Sequence, residues 1–594
     1  MKKLATALNL LFPFLLLLVF PGCGKKSGQP HILLITIDTL RSDYLGLYDC
    51  PLDTSPFIDQ LARNGVVFKH AITPLPLTDG SHATILTSLN PLVHQVISNA
   101  TVLNDKVETM AEVLKNKGYY TIGTIAVSHL NRKYNFSQGF DSFSDSWDNS
   151  IAENKPHLRV AQSVHESLTG QIEVYLQHHR DKPLFIWVHY YDPHVPYINW
   201  ANIHLKNYEN QKDQHWHHSY AKEVRYTDDY IKKLYLFLDR KRLTKNMITC
   251  ITADHGEQLG EHGHTAEHFD FYSETSFVPL IFHGYKIPKH KVVEEYVSTM
   301  DIATTLLSLA NLSFDEPVHG VKLLDQKGQL KAVPPRDFLI IGDPYYVRSI
   351  QTIRGSLSYI LNFDYLFEHW FVSMKNELPS SLLQKVSPDD MDLKIQEKSR
   401  SFRLQIYYPH SPRTGLQFGI LRFNINKNQG FSVGYKISPA NTETALQFGE
   451  QTPKTVTAYF PVTPLDQLSG IIQYQQGTEI SDIQFAILSP EELGQHNLSK
   501  IAVESEIFRM LKSPRKLIAN DELFDLKTDF TMMNNLLAQK EQHYDLAEHR
   551  NTIYKAIHFY QNQKEKLLGP NERKRVLTQN EEDMLKSLGY LQTE

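Results

Sequence analysis

Two hydropathy patterns divide the chain. Four stretches are near-continuous apolar runs rich in β-branched residues: HILLITIDTL (31–40), GYYTIGTIAV (118–127), PLFIWVHYYD (183–192) and NMITCITADHG (246–256). A strand that is apolar at successive positions has both faces buried, as in a parallel sheet covered by helices. Between these runs apolar residues recur at helical spacing over 56–64, 107–117, 161–178 and 220–238. Strands alternating with helices predict a doubly wound α/β sheet, in which ligands sit at the carboxyl ends of the strands.

The pattern changes near residue 363. Between 400 and 490 the segments RLQIYYPH, FGILRFNI, FSVGYKIS, KTVTAYFP, LSGIIQYQ and DIQFAIL alternate apolar and polar positions, with turn residues between them. That spacing predicts an antiparallel β-sandwich. Helical spacing returns at 504–512 and dominates from 540. The expected organisation is a signal region over 1–23, an α/β domain over 30–362, an inserted β-rich segment over 365–510, and a C-terminal segment with a helical tail over 513–594.

The first 23 residues change the picture of where the chain works. Lys2 and Lys3 precede an apolar run from Leu8 to Phe20, interrupted by Pro13. A positive start and a short apolar stretch describe an export signal rather than a membrane span. Cys23 follows Gly22 and precedes a polar, flexible run, which resembles a bacterial lipoprotein signal with Cys23 as the lipidated residue. A plain signal peptide is the alternative. Cys50 and Cys250 are the only other cysteines, too few for a disulfide framework. With a net charge of −5 the chain is not basic enough to suggest a nucleic-acid binder.

The candidate chemistry sits at the predicted strand ends. Asp38 follows the first strand, and Asp254 and His255 follow the last. Thr78 lies in PLPLTDGSHATILTSLNP (74–91), where a loop enters a helix. Two carboxylates, an imidazole and a hydroxyl make an oxygen-rich shell for a divalent cation such as Ca, Mn, Zn or Mg. Such a cation favours the alkoxide of a bound hydroxyl and so makes Thr78 a nucleophile. The competing reading of Thr78 is a helix cap, and of Asp38 likewise.

LLITIDTLRSDYLG, SHATILTS, WVHYYDPHVPY and TADHGEQLGEHGH together resemble, in content and order, the motifs of the sulfatase family within the alkaline phosphatase superfamily. TSPFIDQLARNGVVFKHA, VPLIFHG and STMDIATTLLSLANL are similar to its connecting segments, and ELFDLKTDFTMMNNL (522–536) to its C-terminal segment. The resemblance implies an alkaline-phosphatase-like mixed sheet, a metal held by Asp38, Thr78, Asp254 and His255, and hydrolysis of an anionic ester.

The chain departs from true sulfatases where they carry the Cys or Ser that becomes formylglycine, followed two residues on by Pro and four residues on by Arg. Here those positions read Thr78, Asp79, Gly80, Ser81 and His82, and the usual lysine is missing from GTIAVSHL. Oxidation of a threonine would give a ketone, not the aldehyde that sulfatases hydrate. A threonine nucleophile instead resembles the superfamily's phosphodiesterases, phosphonate hydrolases and phospho-substituent transferases. By the same comparison His194 and His268 contact the substrate and protonate the leaving group, while His82 and His129 hold the anion. A second metal on Asp192, His194 and His268 is an alternative to the single-metal reading. The expected partners are an anionic ester, on a glycan or a lipid, and a membrane reached through the lipid anchor. A transferase, or a binding lipoprotein without catalysis, competes with the hydrolase.

Overall fold

A computed structural model describes residues 28–145, 160–198, 200, 202–205, 215–263, 265–267, 271–341, 349–362, the strands between 371 and 488, 522–538 and 547–568. Its centre is an eight-stranded sheet of β1 (His31–Ile37), β2 (Gly65–Ile72), β3 (Tyr120–Thr124), β4 (Ser142–Ser144), β5 (Leu184–Tyr190), β6 (Met247–Ala253), β9 (Phe277–Gly284) and β10 (Lys291–Ser298). A two-stranded ribbon, β7 (Gln258–Leu259) with β8 (Thr265–Glu267), follows β6. The sheet order is β10-β2-β9-β6-β1-β5-β3-β4, and every neighbouring pair is parallel except those that β9 makes with β2 and β6. The fold is therefore the doubly wound α/β sheet that the apolar runs predict, made mixed by β9 as the family resemblance implies.

β5 and β6 are buried at every position, and β1 at all but its first. Truncating one of the large apolar side chains there to alanine would cost about 2–5 kcal/mol. The helices are α1 (Pro56–Arg63), α2 (Thr78–Thr87), α3 (Pro91–His94), α4 (Met110–Asn116), α5 (Ala161–His178), α6 (His215–Arg240), α7 (Ser273–Ser276) and α8 (Asp301–Leu309). α1 starts at a proline, and its free N–H groups at Phe57 and Ile58 donate to Asp228 of α6 at 3.0 and 2.7 Å. α4 starts three residues later than its apolar spacing suggests, because Thr109 and Glu112 form a capping box.

A second sheet joins β11 (Phe338–Ile341), β12 (Ser349–Arg354) and β13 (Leu357–Asn362) to the strand Glu522–Asp525, all antiparallel. Phe338, Ile340, Ile353, Ile360 and Phe524 pack it against Ile72 and Phe277, at the end of β2 and the start of β9. Between Asn362 and Glu522 the chain forms two five-stranded antiparallel sheets. One orders Phe371–Ser373, Thr455–Val462, Gln417–Lys427, Glu479–Leu488 and Gln384–Lys385; the other orders Lys394–Lys398, Ser401–Tyr407, Gln467–Gln475, Phe431–Ser438 and Thr442–Phe448. All six alternating segments read from the sequence are strands there, joined by four that the sequence reading did not identify. Cys23 and the preceding apolar run lie outside the described residues, among which no helix is long and apolar enough to cross a membrane.

Candidate metal and nucleophile site

Asp38 is the first residue beyond β1, and its N–H donates to the Tyr190 carbonyl at 2.8 Å, continuing the ladder to β5. Thr39 then turns the chain with φ 53°, a left-handed conformation that disfavours a β-branched residue by about 1–2 kcal/mol. Two partners hold that turn. The Thr39 N–H donates to Asp254 Oδ1 at 3.2 Å, and its carbonyl accepts from the Tyr220 hydroxyl at 2.7 Å. The turn leaves both Asp38 carboxylate oxygens buried and without a hydrogen-bond partner among the described residues.

Asp254 and His255 leave β6 in the same direction. Asp254 Oδ1 accepts the N–H groups of Thr39 and of His255, the latter at 2.8 Å, and Oδ2 lies 3.5 Å from His255 Nε2. His255 Nδ1 donates to the Gly256 carbonyl at 2.9 Å. That bond fixes the tautomer and leaves the Nε2 lone pair facing the carboxylates. Gly256 is obligatory, because a Cβ there would stand 1.8 Å from the Glu274 carbonyl oxygen. Arg41 ties the two motifs together. Its guanidinium spans Asp43, the Glu257 carbonyl and Glu261, with the Glu261 contact at 2.8 Å.

Thr78 is the first residue of α2. The capping position belongs to Leu77, which makes no side-chain cap, so the helix-cap reading of Thr78 does not hold. Its Oγ1 instead lies 3.3 Å from His255 Nε2. Ser81, one turn on, is committed differently. Its hydroxyl donates to the Asp254 carbonyl at 2.8 Å and lies 3.1 Å from Thr73 Oγ1. Asp38, Asp254 and His255 each bring one ligand atom to within 4.8 Å of the others. Burial, then the negative charges of Asp254, Glu257 and Asp79, push the Asp38 carboxyl well above the ordinary range. Two buried carboxylates with open oxygens, an imidazole lone pair and a hydroxyl fit a divalent cation, which would offset this repulsion.

Four further imidazoles lie buried near these residues or in their loops. His82 Nδ1 donates to the Thr78 carbonyl at 2.7 Å, and Nε2 accepts from Thr36 Oγ1 at 3.0 Å. Thr36 Oγ1 accepts in turn from Trp187 Nε1 at 3.1 Å. Both His82 nitrogens thus serve the chain itself, which leaves none for the substrate anion it was expected to hold. Burial pulls its pKa down to about 4, so the ring is neutral. His129 Nδ1 pairs with Asp79 Oδ1, while Asp79 Oδ2 accepts from the Ala100 N–H at 2.6 Å. His194 is buried in the loop after β5, with Nδ1 against the Tyr191 hydroxyl at 2.8 Å and the Val195 carbonyl. His189, inside β5, places Nε2 3.3 Å from Asp38 Oδ2.

The alternative second-metal set falls only in part on the described residues. Asp192 Oδ1 accepts from the Ala161 N–H at 2.9 Å at the start of α5, and His268 lies outside the described residues. Neither Asp192 nor His194 belongs to a candidate ligand group among the described residues. Sequence reasoning missed Asp79 and His189. The signal for His189 was available: a polar residue within FIWVHYY, a strand buried on both faces, needs a polar partner.

The family model described as Sulfatase matches residues 30–312. A Δ4,5-hexuronate-2-O-sulfatase of Bacteroides thetaiotaomicron is 24% identical over 362 residues, covering 51% of this chain and 73% of that protein. Human N-acetylgalactosamine-6-sulfatase is 26% identical over 355 residues, covering 51% and 66%. Among solved structures, an alkaline phosphatase superfamily protein from Vibrio parahaemolyticus superposes with a TM-score of 0.45 at 17% identity, covering 56% of this chain and 77% of that one.

Proposed function

Because the chain belongs to the sulfatase family of the alkaline phosphatase superfamily, through residues 30–312, we propose that it is a metal-dependent ester hydrolase with Thr78 as nucleophile and phosphoesters as substrates. One observation carries this reading: the Thr78 hydroxyl stands 3.3 Å from His255 Nε2, beside the open oxygens of Asp38 and Asp254. A divalent cation held by Asp38, Thr78, Asp254 and His255 would favour the Thr78 alkoxide and offset charge on the ester. Thr78 also begins a ten-residue helix, whose N-terminal partial positive charge favours an anion at that end.

Thr78 Oγ1 attacks phosphorus and the bond to the leaving oxygen breaks. His194 or His268 delivers the proton that the leaving oxygen takes, so that the threonine proton ends, in net terms, on the released alcohol. Water then attacks the phosphothreonine, freeing the phosphate product and restoring the hydroxyl. Phosphodiesters, phosphomonoesters and phosphonates are favoured because threonine cannot supply an aldehyde hydrate. Sulfate esters are the second reading, supported by the names of the relatives. The natural ester belongs to a glycan or lipid. Export and lipidation at Cys23 complete the proposal; Cys23→Ala would release an unlabelled protein from membranes when cells are fed a fatty-acid probe.

The test is turnover of purified mature protein on aryl phosphate, phosphodiester, phosphonate and sulfate esters with several divalent metals. The reading expects phosphoester turnover that needs metal, and a phosphate adduct on Thr78 after acid quench. Turnover of sulfate esters alone would overturn the substrate assignment. An adduct mapped to Ser81 would move the nucleophile.

A further inference from the structure

His189 has no place in the chemistry above, yet it touches a proposed ligand. Its ring is fully buried, with Nε2 3.3 Å from Asp38 Oδ2, and it packs edge-on to His82 at 4.9 Å. Position alone would make it a ligand: His82, His189 and Asp254 also bring ligand atoms within 4.8 Å of one another. Hydrogen-bond direction argues otherwise. The Ala126 N–H donates to His189 Nδ1 at 3.3 Å. A nitrogen that accepts carries the lone pair, so the proton of this ring sits on Nε2, the atom facing Asp38. His255 is the reverse case, since Nδ1 donates to the Gly256 carbonyl and the lone pair lies on Nε2. His82 has its lone pair occupied by Thr36. Main-chain partners therefore sort three neighbouring imidazoles into one that can bind a cation and two that cannot.

We infer that His189 is a positioning residue: its Nε2–H, 3.3 Å from Asp38 Oδ2 and not hydrogen-bonded to it in this structure, stands ready to engage that oxygen when Asp38 takes up a cation, so that Asp38 offers only Oδ1 and the site takes a single imidazole ligand. The inference rests on the metal site proposed above. It assigns His189 to orienting a carboxylate ligand, the outer role that commonly sets metal affinity. Asp38 Oδ1 is the oxygen nearer His255, at 3.9 Å from Nε2, which is the division of labour this role requires.

The test is metal binding, read without turnover. Zinc-loaded wild type is examined by X-ray absorption to count imidazole ligands, and Mn(II) affinity is measured by titration for wild type, His189→Gln and His189→Leu. Glutamine keeps an N–H donor at similar reach; leucine removes it. One imidazole is expected in wild type and in His189→Gln. Affinity should stay near wild type in His189→Gln and fall about 10–100-fold in His189→Leu. Two imidazoles in wild type, dropping to one in His189→Gln, would make His189 a ligand and overturn the inference. Unchanged affinity in His189→Leu would also overturn it. Should His189→Leu fail to fold, the wild-type count and the glutamine variant still decide. A wild type that binds neither ion sinks the metal reading itself, an outcome distinct from either failure.

Discussion

The two ends of α2 both bury histidines, and they bury them for opposite purposes. At the N-terminal end His82, His129, His189 and His255 lie among Asp38, Asp79 and Asp254. At the C-terminal end no carboxylate among the described residues pairs with them. His94 Nδ1 accepts from the Val96 N–H at 3.1 Å and Nε2 donates to Thr84 Oγ1 at 3.0 Å, while His319 Nδ1 accepts from the Asn90 N–H at 3.0 Å. His94 is as buried as the rings of the site, and His319 is half-buried. What differs is the company: hydroxyls and main chain satisfy the scaffold histidines, whereas the site leaves carboxylate oxygens open. Open acceptors, not burial, mark the reactive end.

The largest test of that contrast is Thr78→Ala. The attacking atom goes, so turnover should fall about 10³-fold or more. Melting should hardly change, because the hydroxyl caps nothing. Near-normal turnover would return Thr78 to the scaffold and erase the difference between the two ends.

Asp254→Ala comes next. It removes one ligand oxygen and the acceptor that holds the Thr39 turn. Elemental analysis should find the divalent metal lost from a folded protein. Stoichiometric retention would strike Asp254 from the ligand set.

Much of this was legible in advance, for stated reasons. β1, β5 and β6 announce themselves as apolar runs, and Asp38, Asp254 and His255 follow from standing at their ends. β2, β9 and β10 did not register as strands. β10 is an edge strand whose KVVEEYVS mixes exposed charges with few buried positions. β9 carries Pro279 in a central position that normally forbids proline; its register against β2 slips at this point, between Phe68 and Ala71, and the irregularity accommodates it. At the site, chain order could place Thr78 near the metal but could not reveal tautomers. Those depend on main-chain groups such as Ala126 and Gly256, which carry no side-chain signature.

The scaffold end makes a pH prediction. Burial pulls the His94 pKa from 6.5 to about 3 and that of His319 to about 4. The unfolded chain binds these protons and the native chain does not. The stability these rings contribute is therefore full above pH 6.5 and is lost as pH falls towards the native values. At pH 5 the loss should be roughly 2 kcal/mol for His94 alone. Urea unfolding at pH 7 and pH 5 measures it, and His94→Gln, which cannot titrate, should show the smaller difference. Equal differences in the two proteins would mean that His94 is protonated in the fold.

The smallest effect is the sharpest comparison, because it lies within one turn of helix. Ser81 is as buried as Thr78 and carries the same functional group. Yet it donates to the Asp254 main-chain carbonyl and shares a contact with Thr73, so its hydroxyl joins α2 to the end of β6. Ser81→Ala should cost about 1–3 kcal/mol, the usual range for a buried acceptor that loses its donor. Turnover should keep its order of magnitude, because the Asp254 carboxylate is held separately, by the N–H groups of Thr39 and His255. Thermal unfolding and steady-state rates on the same preparation decide the matter. A collapse of turnover with unchanged melting would show that Ser81, not only Thr78, reaches the substrate, and that hydrogen-bond commitment is a poor guide to which hydroxyl reacts.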